Sequence, residues 1–200
     1  MALPSPQPTR AGSGPVVVLL HGVNATGRMW EGLTALTERF ELLSYDFLAD
    51  GEIDDLTDQL ATVLTAAGVA RAHFVGSSLG GMVAQSFAAN WPERVDRLVL
   101  CDTTPALSEG MRDAFLLASP RHAAMARADL MDIAEEIFAP TLVICAEGAD
   151  LAMREGADFL ARSIPHGRLA FVPGAMADSV TEQPDWVLRA LLDFLGSGPA

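Results

Sequence analysis

The stretch "HFVGSSLGGMVAQSFAANWPERV", residues 73–95, decides how the chain is read. An apolar run ends in Gly76-Ser77-Ser78-Leu79-Gly80, and a helix-like run follows without a gap. Those five residues match G-x-S-x-G in the setting that gives the pattern meaning, with a strand before and a helix after. A nucleophilic serine there must sit on a sharp turn, so that its hydroxyl projects above the strand ends. Small flanking residues let strand and helix approach closely, and Gly81 extends that packing. The start of the helix points its free N–H groups and its positive dipole end at the same place. A plain strand-to-helix turn is the competing reading, because five residues match often by chance. Ser77 is the neighbouring candidate, but the register of the pattern selects Ser78.

Outward from this corner, short apolar runs alternate with amphipathic ones. "PVVVLL" (15–20), "ELLSYD" (41–46), "AHFVGS" (72–77), "RLVLCD" (97–102), "TLVICAE" (141–147) and "RLAFVPG" (168–174) read as strands. They are continuous rather than alternating, as expected when both faces of a strand are covered. Helical patterns occupy 53–68, 79–90, 153–163 and 184–195. In the first, Leu56, Leu60, Val63 and Leu64 form one stripe and Gly68 is a stop signal. Pro184 suits the first turn of the last. Strict alternation predicts an α/β fold: a mostly parallel sheet of about six strands with helices on both faces. Residues 105–138 carry helical patterns and no strand, which predicts a short helical cap above the sheet. Residues 1–14, rich in Pro, Gly and Ser, read as a flexible lead-in, and 15–200 as a single domain.

The formal net charge of −13 argues against nucleic acid or an anionic membrane surface as partner. No apolar run approaches the roughly 18 residues of a membrane span, and the N-terminal residues lack the order of a signal peptide. Cys101 and Cys145 lie in strand-like runs and read as buried apolar residues of a reducing, cytoplasmic compartment. They do not read as a disulfide or a metal pair. Oligomeric state is not legible.

A second signal agrees with the first. "LLHGVNATGRMW" puts His21-Gly22 directly after the first strand, where a loop can aim a backbone N–H at a carbonyl oxygen under attack. Val23 and Leu79 N–H groups would be the two donors of an oxyanion hole, with His21 holding the loop. On these segments, with "APTLVICAEGAD" and "VPGAMADSVTEQPDWV", the chain resembles the α/β-hydrolase family. Within it, the chain resembles the 3-oxoadipate enol-lactonase-like and related esterases. The resemblance runs from about residue 15 to the C-terminus. It implies a serine nucleophile, a histidine base and a carboxylate after a late strand, hydrolysing esters or lactones without a cofactor or metal. The implied partner is a small-molecule ester, lactone or acyl compound.

The chain departs from that pattern in one decisive place. Anchored on Glu182-Gln183-Pro184, the family's histidine position falls on Ala177, and no histidine follows residue 166. A serine hydroxyl without a base is a poor nucleophile at neutral pH. Three readings stay open. Ala177 is an engineered replacement of a histidine. Or the natural protein lacks the base and uses its pocket for a lyase, cyclase or binding role. Or another histidine substitutes, with His122 in the cap the candidate and an exposed helix position its plainer reading. His73 and His166 should lie at the wrong end of the sheet. The spacing from Pro140 puts the acid near Asp150, with Asp102 at the end of the preceding strand the alternative and Glu147 a third choice. Asn24, Met29, Trp30, Phe115, Met125 and Met176 are the expected substrate-binding residues. The short cap predicts an open site suited to a bulky acyl or polycyclic ester.

Overall fold

The computed structural model describes residues 8–44, 46–47 and 51–196. Seven strands among these residues form one sheet: β1 (Thr9–Gly12), β2 (Val16–Leu20), β3 (Glu41–Ser44), β4 (Ala72–Ser77), β5 (Val95–Cys101), β6 (Thr141–Ala146) and β7 (Gly167–Val172). Their order across the sheet is β1-β3-β2-β4-β5-β6-β7, and every pairing is parallel except β1 with β3.

The helices are α1 (Ile53–Ala66), α2 (Leu79–Asn90), α3 (Glu109–Ala118), α4 (Pro120–Arg127), α5 (Leu151–Ser163), α6 (Ser179–Glu182) and α7 (Pro184–Leu195). A 3-10 helix spans Gly27–Glu38. The strand pleat sorts the core into two faces. Val18 and Leu20 pack with α1 and α2, while Val17 and Leu19 pack with Leu33 and Leu36 of the 3-10 helix and with Val187 and Leu191 of α7. Both faces of β4 are buried, which is why its sequence reads as an unbroken apolar run.

The seventh strand corrects the lead-in. Thr9–Gly12 is exposed along its whole length and carries no apolar signal, yet it pairs antiparallel with β3. Arg10 holds it there, pairing with Glu41 at 2.7 Å and donating to the Ala67 carbonyl at 3.0 Å. Residues 1–7 of the expected lead-in, and residues 48–50 of the loop after β3, lie outside the described residues. The cap has the expected helices, α3 and α4, and its extended pairing is limited to a bridge between Ala106 and Asp129.

The topology fixes where a site can form. The chain steps one way from β2 to β3, then crosses back to β4 on the other side of β2. Such a reversal opens a crevice at the carboxyl ends of the strands. Register aligns those ends: Leu20 pairs with Gly76, Ser77 with Cys101, and Cys101 with Ile144. The residues that follow, His21, Ser78 and Asp102, therefore come out side by side.

Candidate active site

Ser78 sits at φ 50°, ψ −116°, between β4 and α2. Four hydrogen bonds pin this strained turn. The Ser78 N–H donates to the Cys101 carbonyl at 3.0 Å. The Ser78 carbonyl accepts from Gly81 N–H at 2.9 Å, Met82 N–H at 3.1 Å and the Thr103 hydroxyl at 2.8 Å. The glycines are there because backbone is in the way of a side chain. A Cβ on Gly76 would stand 2.7 Å from the Gly80 carbonyl carbon, and one on Gly80 would stand 2.7 Å from the His21 oxygen.

Asp102 is the other residue of this kind. Among the described residues, Ser78 and Asp102 are the non-glycine positions with positive φ, and they end adjacent strands. Strained backbone of this sort concentrates at functional sites. Asp102 is only 5% exposed. Its Oδ1 accepts from Ala146 N–H at 2.8 Å and from the Ser179 hydroxyl at 3.0 Å, and its Oδ2 accepts from Ser179 N–H at 2.7 Å. Burial pushes its carboxyl up to about 6, despite those three hydrogen bonds, and the nearby Asp178 adds to the rise.

Asp150 does something else. It is exposed, and its Oδ1 caps α5 by accepting from Met153 N–H at 2.8 Å. A cavity of about 320 Å³ is lined by Gly22, Val23, Asn24, Ala25, Met29, Ser77, Ser78, Asp102, Met153, Ala177 and Asp178. Asp150, the acid expected from spacing, is not among them, while the alternative, Asp102, is. A larger cleft of about 800 Å³ lies between α1, the end of α2 and residues 124–133. It contains neither serine of the corner and no residue of the expected site.

Ala177 reaches the pocket with a methyl group where a base was expected. Its loop is nonetheless firmly held. Glu182 accepts from the N–H groups of Met176, Ala177 and Asp178 at 2.7, 2.9 and 2.8 Å. Those donors, that of Asp178 foremost, hold the Glu182 carboxyl below its ordinary value.

The histidines sort clearly. His21 is fully buried and burial lowers its pKa, so it is neutral. Its Nε2 accepts from Phe47 N–H at 3.2 Å, which leaves the proton on Nδ1 to donate to the Gly22 carbonyl at 2.7 Å. It is a strut for the loop that carries Val23. His73 and His166 lie at the amino ends of β4 and β7, away from the site. His122 is half-buried rather than exposed. It lies 2.6 Å from the Ser119 hydroxyl and 3.3 Å from the Asn24 amide nitrogen, outside the pocket lining.

Of the expected substrate-binding residues, Asn24 and Met29 line the pocket. Trp30 and Met125 are core residues, 3% and 4% exposed, and Phe115 packs on the core and on the His122 ring. Met176 points outward, 64% exposed. Met and aromatic side chains serve a core as readily as a pocket. Met153 and Asp178 were missed, and Ser77, weighed only as a rival nucleophile, lines the pocket beside Ser78. Of those two, Asp178 had a signal, its place beside Ala177.

The Val23 N–H has no hydrogen-bond partner among the described residues. Leu79 is the first residue of α2, where the helix offers its N–H no acceptor. Leu79 directly follows Ser78, and Val23 lines the same pocket. At the volume found, the pocket is at the small end of ligand sites, which fits a short acyl compound better than the polycyclic ester expected. Among the described residues no helix is long and apolar enough to cross a membrane, and none of their His, Cys, Asp and Glu form a metal-binding group of three or more.

Residues 15–142 match the family described as alpha/beta hydrolase fold. A Yersinia enterocolitica protein provisionally named carbamate hydrolase RutD is 34% identical over 50% of this chain and 40% of its own length. The pimeloyl-[acyl-carrier protein] methyl ester esterase of Nitrosomonas europaea is 35% identical over 52% of this chain and 46% of its own. The chain thus spans less than half the length of these curated relatives. The enol-lactonase from Burkholderia xenovorans superposes with a TM-score of 0.84 over 96% of both chains, at 23% identity. The match over most of the sequence and the parallel sheet with its sharp serine turn agree: the chain belongs to the α/β-hydrolase fold family.

Proposed function

We propose that the scaffold is that of an acyl hydrolase acting on small esters or lactones, with Ser78 as nucleophile and Asp102 as the carboxylate partner of a base at position 177. The observation that carries this reading is the shared geometry of Ser78 and Asp102. Both are strained, both end adjacent strands, and both line one pocket. The Val23 and Leu79 N–H groups would stabilise the oxyanion. A histidine at 177 would take the Ser78 proton, and Asp102 would orient it and stabilise the imidazolium. The chain as it stands lacks that base, so its own turnover is expected to be weak.

A second reading, a non-hydrolytic enzyme or binding protein on this scaffold, is favoured by the lack of any histidine among the residues lining the pocket. The two separate in one experiment. The chain and its Ala177→His variant are assayed against p-nitrophenyl acetate and butyrate and a panel of small lactones, with mass spectrometry for an acyl adduct on Ser78. The hydrolase reading expects the variant to be faster by about 10³-fold or more. A folded variant inactive towards every ester and lactone would overturn it.

A further inference from the structure

The Ser78 pocket carries two carboxylates and no cation. Asp102 and Asp178 both line it, and no Arg, Lys or His does. Asp102 Oδ2 accepts only the Ser179 N–H, which leaves it a free lone pair. Asp178 commits Oδ1 to the N–H groups of Val180 and Thr181, and its Oδ2 has no donor among the described residues. A second observation points the same way. Ser77 is 4% exposed and lines the pocket, and its hydroxyl has no hydrogen-bond partner among the described residues. That hydroxyl is not sealed from solvent, so it is open to a partner in the pocket. Asp102 is buried and Asp178 half-buried; the two carboxylates repel each other, and a positive charge between them relieves both.

We infer that the pocket takes an acyl compound carrying a weakly basic nitrogen of the imidazole class on its acyl part, seated beside Ala177 between Asp102 and Asp178, and that this nitrogen activates Ser78. The inference rests on the acyl-hydrolase reading above. It deepens it by naming the substrate class and the source of the missing base.

The chemistry balances without another reagent. The neutral ring nitrogen takes the Ser78 hydroxyl proton as Oγ bonds to the carbonyl carbon, and the carbonyl π pair moves to oxygen. The carbonyl re-forms, the bond to the leaving alcohol breaks, and the ring returns its proton to that alkoxide. Water then attacks the acyl-serine. Its proton passes through the same nitrogen to Ser78 Oγ, releasing the acid. An alkylammonium group, with an ordinary pKa near 10, would be held by the carboxylates but would stay protonated and could not act as base.

Imidazole itself is the probe. The unaltered chain is titrated with imidazole at pH 7.5, with binding followed by NMR of the ring protons and turnover by p-nitrophenyl butyrate hydrolysis. The Ser78→Ala variant supplies the background of imidazole acting alone. The expected result is saturable binding that survives Ser78→Ala, with a Ser78-dependent rate gain of about 10- to 100-fold. Asp102→Asn and Asp178→Ser should each weaken binding by about tenfold. Serine at 178 keeps an oxygen to cap α6, so its loss of binding would not be a loss of fold. Butylammonium should compete for the site without raising the rate.

Absence of saturable binding, or binding indifferent to both aspartate substitutions, overturns the inference. If Ala177→His hydrolyses the ester while imidazole neither binds nor accelerates, the hydrolase reading stands and the inference falls. If imidazole binds through the aspartates but neither it nor Ala177→His gives turnover, the hydrolase reading falls. The proposed activation of Ser78 then falls with it.

Discussion

The serine corner and the loop that carries Ala177 are built to the same standard, yet only one of them carries a hydroxyl where the proposed chemistry needs a functional group. At the corner, backbone crowding around Gly76 and Gly80 and four hydrogen bonds to Ser78 leave one conformation. In the other loop, Glu182 gathers three N–H groups, Asp178 caps α6, and Ser179 ties the chain to Asp102 through both its N–H and its hydroxyl. None of those contacts uses the side chain of residue 177. The frame of this loop is therefore built without the side chain at 177, and on the proposed reading it is the frame that a base would use.

The largest effect should come from combining the two regions. In the Ala177→His background, Ser78→Ala should remove about 10³-fold or more of the ester turnover, measured as kcat/KM. Equal turnover with and without Ser78 would mean that the two loops do not form one machine. Next in size is the corner itself. Gly80→Ala forces a Cβ against the backbone of residues 20 and 21, which has no flexible end to move. It should cost roughly 4 kcal/mol of folding stability, read from a urea midpoint. A cost under about 1 kcal/mol would show that the strand and helix can part, and that the corner is looser than its partner loop.

How far each region could be read from sequence follows from how local it is. The corner is contiguous: strand, turn and helix stand next to one another in the chain, so G-x-S-x-G and its flanks sufficed. The loop at 177 was legible through Glu182-Gln183-Pro184, three residues whose spacing survived. Asp102 was legible only as the alternative acid, because its place is fixed by a φ of 46° and by Ser179, 77 residues away. Spacing along β6 and its turn favoured Asp150, and nothing in sequence shows that its carboxylate caps a helix. The edge strand Thr9–Gly12 failed for a different reason. It buries nothing, so hydrophobic periodicity has no purchase on it.

Asp102 links the regions, and its charge sets the third effect. Its folded carboxyl titrates near 6, above the ordinary 3.8, chiefly through burial. The folded chain therefore binds this proton more tightly than the unfolded chain does. The contribution favours folding below about pH 4, is lost as pH rises to about 6, and is flat above that. A rise of about two units corresponds to at most about 3 kcal/mol. Asp102→Asn should remove this part of the slope, seen as the difference between the two proteins' unfolding midpoints from pH 4 to 7. Parallel profiles would mean that the carboxyl is better hydrated than its burial implies.

The smallest effect isolates the frame at 177. Glu182→Gln leaves one carbonyl oxygen to accept N–H groups, but it presents an amide where the Met176 N–H now donates. The loop should loosen without unfolding, because Ser179 still anchors it to Asp102. In the Ala177→His background, kcat should fall about tenfold with KM little changed, since a displaced base is felt in the transition state rather than in binding. In the unaltered chain, where residue 177 offers only a methyl group, the same substitution should leave ester turnover unchanged. A kcat unaffected in the histidine background would assign the placing of residue 177 to Asp102 and Ser179 alone. The two regions would then share a single fastening rather than having one each.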